Sequence, residues 1–125
     1  MSDNLKRYRA IKEGLCQLYP KEVSGHQAQG INVLAMFING IVASKSTHTR
    51  EVAKKTPTGA KVNSREIQLS RWYKNPAITY ELYMLPYVEQ VLSRLSEQTL
   101  TIIIDSSEVG RGCMALMLTV VYQRR

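Results

Sequence analysis

The chain has 125 residues, 44% of them hydrophobic, and a net charge of +7 at neutral pH. That length fits one domain, or a helical domain plus the start of another, and lets roughly two thirds of the unfolded surface be buried. A charge this high for the size favours a polyanionic partner, nucleic acid before membrane.

Cys16 and Cys113 lie far apart in sequence and make neither a metal-ligand spacing nor a disulfide framework, so a reduced, cytoplasmic protein is the default expectation. The opening MSDNLKRYR lacks the apolar run of a signal peptide. The longest apolar stretch, residues 31–43, is interrupted by Asn32, Asn39 and Gly40 and falls short of the ~20 residues that span a bilayer. No membrane association is expected.

Residues 3–19 have helical spacing, with Ser2 or Asp3 as cap and Pro20 as the stop. A second helix is expected over about Gln27–Ala43, apolar on nearly every side and therefore central. The segment from Lys45 to Lys74 holds eight bases against two acids, Glu51 and Glu66, and so carries most of the net charge. Within it, a short helix over Thr49–Lys55 precedes the Pro57-Thr58-Gly59 turn. Asn63 with Glu66 three residues on has the form of a reciprocal cap, opening a helix that runs to Tyr73 ahead of Asn75-Pro76. Helix, tight turn, helix is the outline of a helix-turn-helix unit. Thr79–Leu95 has a further helical stripe, which Pro86 must kink or split. The layout is five short helices followed by the beginning of a sheet.

That sheet begins in Thr99–Tyr122, where two runs of β-branched and apolar residues flank Ser106, Ser107, Gly110 and Gly112. Asp105 is expected to end the first strand as its only charge. The second, Cys113–Val121, has Thr119 as its one polar residue after the opening cysteine, the pattern of a strand covered on both faces. A two-stranded hairpin is marginal alone and an uncovered apolar edge aggregates. The expectation is that the chain is the front part of something longer, cut inside a sheet.

Two groups carry candidate chemistry. A carboxylate at a strand end, as expected for Asp105, can ligate a divalent metal, and two metals about 4 Å apart can drive an in-line displacement at phosphorus. Equally, such an aspartate can cap a turn with Ser106 and Ser107. In the basic segment, Lys54, Lys55, Lys61, Arg65, Gln68, Arg71 and Lys74 are the candidate DNA contacts. On a helix over 64–74, Arg65, Gln68 and Arg71 project along one side toward phosphates and base edges, with Ile67 and Trp72 left for packing. The alternative is a solvated charged helix. His26 and His48 fit helix starts, since no second ligand lies at metal spacing from either.

The run LTIIIDSSEVGRGCMALMLTVVYQRR resembles the first strands of the RNase H-like catalytic domain in bacterial insertion-sequence transposases of the DDE type. In that family a strand ending in Asp is followed by a short loop and an apolar strand closing on a "VYRGR"-like segment, here residues 121–125. Upstream, GIVASKSTHTREVAKKTPTGAKVNSREIQLSRWYKNP is similar to the family's helical N-terminal domain, and the likeness spans about Asn32–Arg125. The resemblance implies a mostly α N-terminal, DNA-binding-type domain over residues 1–97. Residues 98–125 would then be the first β-hairpin of a truncated RNase H-like α/β domain. By the same likeness Asp105 corresponds to the first acidic residue of the catalytic triad and to a ligand of Mg2+ or Mn2+. The family's second Asp and its Glu have no counterpart here, so strand cleavage and transfer, and metal binding with them, are not expected of this chain alone. DNA at transposon ends is the implied partner, with a homodimer left open. A self-standing, small, basic DNA-binding regulator is the competing reading.

Overall fold

The computed structural model describes residues 2–97 and 99–121. The expectations that concern residues 122–125 lie outside that range. Six helices precede a two-stranded antiparallel hairpin: α1 (Asp3–Cys16), α2 (Gly25–Ser44), α3 (Thr49–Lys55), α4 (Val62–Lys74), α5 (Tyr80–Tyr83), α6 (Leu85–Leu95), β1 (Thr101–Glu108) and β2 (Met114–Val121). The chain divides into two compact units, Met1–Gln90 and Val91–Arg125, and the boundary falls within α6.

Local chemistry accounts for most of these limits. Ser2 caps α1, its hydroxyl accepting from the Leu5 N–H, and α1 stops at Cys16, four residues ahead of Pro20. Ser44 ends α2, after which Lys45 turns left-handed with its N–H on the Ile41 carbonyl at 2.8 Å. The expected fifth helix is two. Pro86 stands at the second position of α6, where it needs no intrahelical donor, and Met84 separates the two segments. The reciprocal cap expected of Asn63 and Glu66 does not form. Helix α4 starts at Val62 behind Lys61, which makes no side-chain cap, while Glu66 pairs with Arg50 of α3 at 3.6 Å.

The core of the first unit is where α2, α3 and α4 meet. Val33, Val52, Ala53 and Leu69 are buried there, with Met36, Phe37, Val62 and Trp72 packed around them. Helix α3 approaches α2 at Gly40, where a Cβ would lie 2.5 Å from Val52 Cγ1 and 2.8 Å from the Val52 carbonyl oxygen. Beside it Asn39, 0% exposed, has both its side-chain polar atoms hydrogen-bonded rather than stranded in the apolar helix. Its Nδ2 donates to Asn4 Oδ1 at 2.7 Å and its Oδ1 accepts from Arg7 Nε at 2.9 Å. Asn4 Nδ2 in turn donates to the Lys55 carbonyl at 2.8 Å, so one polar chain ties α1 to α2 and to the end of α3. Aromatic rings continue the packing: Trp72 lies 5.7 Å from Phe37 and 5.7 Å from Tyr83, joining α2, α4 and α5.

In the second unit, β1 and β2 pair in one unbroken register from Thr101 opposite Val121 to Glu108 opposite Met114. The five-residue connection closes with Val109 N–H on the Cys113 carbonyl at 2.9 Å, and Gly110, Arg111 and Gly112 are all left-handed within it. Ile102 and Ile104 share a face with Val120, Leu118 and Leu116, and Leu116 is 74% exposed. The apolar character that suits a covered strand is thus displayed on a two-stranded sheet.

Two glycines should respond in opposite directions to alanine. Gly40→Ala forces α3 off α2 and should cost about 1–3 kcal/mol of stability in urea unfolding. Gly14→Ala, in α1 with nothing within 4 Å of the added carbon, should stabilise by about 0.5–1 kcal/mol.

Candidate nucleic-acid interface

Helix α4 carries most of the candidate side chains, and its orientation decides which of them face water. Val62, Leu69 and Trp72 lie at spacings of seven and three, one helical stripe, and all three pack on the core. That phase sweeps Arg65 and Glu66 inward with them. It turns Ser64, Ile67, Gln68, Arg71 and Lys74 outward, and each of these is exposed. Ile67, assigned by sequence to packing, is 52% exposed. Trp72 is half-buried, as its packing role requires, with Nε1 buried and without a hydrogen-bond partner among the described residues.

Arg65 occupies a different environment from the other bases. Its Nη1 donates to the Ala53 carbonyl at 3.1 Å, and its Nη2 donates to the Thr58 carbonyl. Its half-buried guanidinium therefore stitches the connection between α3 and α4, and is engaged with backbone oxygens rather than presented to solvent. The structure thus separates Arg65 from Gln68 and Arg71, which the sequence placed with it.

Lys54 is exposed, with Nζ 2.7 Å from Glu51 Oε1, and this hydrogen bond holds the Glu51 carboxyl below the usual carboxylate range. Lys55, Lys61, Arg71 and Lys74 are exposed and make no ion pair among the described residues. Lys74 Nζ sits 5.8 Å from the centre of the Tyr73 ring, itself turned to solvent. Gln68 and Arg71 edge an open cleft of about 670 Å³ between α2 and α4, with His26 and Asn32 on its opposite side. His48 stands at the cap position of α3 without a side-chain cap bond.

Asp105 belongs to the second unit. The strand does not end there: β1 runs three residues further to Glu108, and Asp105 faces Met117 across the ladder. Continuous pairing carries the strand through Ser106 and Ser107, where the sequence expects a loop. The exposed carboxylate accepts from the Ser106 N–H at 2.8 Å. No group of three His, Cys, Asp or Glu side chains able to hold a metal exists among the described residues. A lone solvated carboxylate does not fit a pair of divalent metals, and no metal-dependent step is derived from it. Likewise, no helix among the described residues is long and apolar enough to cross a membrane.

No family model, no curated protein and no solved structure matches the chain.

The two classes of arginine should separate in unfolding experiments. Arg65→Ala removes two bonds from a charged donor and should cost about 2 kcal/mol in urea unfolding. Arg71→Ala and Lys74→Ala, both at exposed positions, should change stability by less than about 0.5 kcal/mol.

Proposed function

We propose that this chain binds duplex DNA through the outward face of α4, as the DNA-binding part of an insertion-sequence transposase of the DDE type. The observation that carries the proposal is that face itself. Gln68, Arg71 and Lys74 project from one exposed helix whose opposite side is buried, and the two cations make no ion pair among the described residues. A helix of this kind, held as the second arm of a helix-turn-helix on a supporting helix, is suited to the major groove. Lys55 and Lys61, near the ends of the connection between α3 and α4, add positive charge for the flanking phosphates. Arg65 acts indirectly, holding the connection and hence the angle at which α4 is offered.

The transposase assignment rests on the sequence resemblance, with β1 and β2 corresponding to the opening strands of an RNase H-like domain. The chain's own residues support DNA binding, whereas strand cleavage would need the second Asp and the Glu of the family's metal site. A self-standing DNA-binding regulator is the second reading, favoured by the compactness of Met1–Gln90 as its own unit.

Binding measured by fluorescence anisotropy on a labelled duplex across a salt series tests this directly. The logarithm of affinity should fall linearly with the logarithm of salt concentration, as counterions are released from the phosphates. Arg71→Ala and Lys74→Ala should each weaken binding and reduce the slope by about one if the side chain contacts phosphate. Absence of binding at low salt, or an unchanged affinity and slope in the double variant, would remove the interface from α4.

A further inference from the structure

On the outward face of α4, among polar and charged residues, stands one large aliphatic side chain. Ile67 is 52% exposed and out of phase with the Val62–Leu69–Trp72 stripe that anchors the helix. Its helical neighbours three and four positions away are Asn63, Ser64, Ser70 and Arg71, all polar. A β-branched residue also holds a helix less well than a straight-chain one, so local propensity gives no reason for isoleucine here. What distinguishes the position is its company: Gln68 is adjacent and Arg71 lies one turn on.

We infer that Ile67 is a specificity-determining residue that packs on the 5-methyl group of thymine in the major groove, so that the protein prefers A·T-containing sites. In the major groove, thymine is the one base that offers an apolar group, and an apolar side chain long enough to reach it from the helix recognises it by contact. The Gln68 amide has the donor and acceptor that match adenine N6 and N7. Side by side, an amide and a branched aliphatic group therefore complement the two edges that A·T pairs present. An exposed isoleucine on a face that otherwise meets only phosphates would lose nothing on replacement by alanine. This inference rests on the proposed DNA binding by α4.

The test compares two duplexes of alternating A·T pairs, identical except that deoxyuridine replaces thymidine in one and so deletes every 5-methyl group. Binding to each is measured with the whole chain and with Ile67→Ala. Wild type should bind the thymine duplex roughly fourfold more tightly for each methyl buried. Ile67→Ala should bind both duplexes equally, near the level at which wild type binds the uracil duplex, with its melting temperature unchanged. Binding of wild type to both duplexes alike would overturn the inference while leaving DNA binding by α4 in place. A thymine preference that persists in Ile67→Ala would do the same, assigning the methyl contact to another residue. A large fall in the melting temperature of Ile67→Ala would show the side chain to be structural and also overturn the inference. Failure of wild type to bind either duplex at low salt would instead remove the proposed function, and the inference with it.

Discussion

The guanidinium of Arg65 holds the interaction on which the orientation of α4 depends. By donating to the Ala53 and Thr58 carbonyls it gathers the end of α3 and the start of the following turn onto α4. The Ala53 oxygen lies near the end of α3, where it also accepts from the Thr56 N–H at 3.3 Å, and the Thr58 oxygen lies in a loop; a fixed fork of charged donors suits the pair better than a flexible ammonium. Leu69, buried against Val52 and Ala53, sets the same rotation of α4 from its apolar side. Together the polar stitch and the apolar contact leave α4 one way to face. Which side chains of α4 face water follows from that.

A second constraint lies on the other side of α3. Gly40 lets α2 and α3 approach closely, and the residue before it, Asn39, is fully buried. A buried amide left without partners is a cost, and here Asn4 and Arg7 of α1 supply one to each of its polar atoms. The docking of α1 thus combines these hydrogen bonds with a stripe of half-buried apolar side chains, Leu5, Tyr8, Ile11 and Leu15, none of them fully buried.

The helices were legible in sequence because their periodicity, caps and prolines are local signals. Thr49–Lys55 matches in full, and Pro86 marked the division of the last helical run within a few residues. The candidate interface was less legible because it depends on rotation about the helix axis, which spacing does not decide when apolar residues lie on more than one side. Ile67 and Leu69 compete for the inward position in α4. The Val62–Leu69–Trp72 spacing resolves the competition, and attending to it places Arg65 inward and Ile67 outward. The Asn4–Arg7–Asn39 network joins residues more than thirty positions apart, and its only trace in sequence is a polar interruption of an apolar run. Asp105 was misplaced as a strand end because serines commonly begin loops. Pairing with Leu116 and Ala115 keeps Ser106 and Ser107 in the ladder.

The wedging of Trp72 between the rings of Phe37 and Tyr83 gives the molecule a built-in optical reporter. It is the chain's single tryptophan, so steady-state emission contains one indole signal, from one place. Because the rings come from α2, α4 and α5, wavelength and intensity follow the assembly of those three helices, with no label and no contribution from an indole elsewhere.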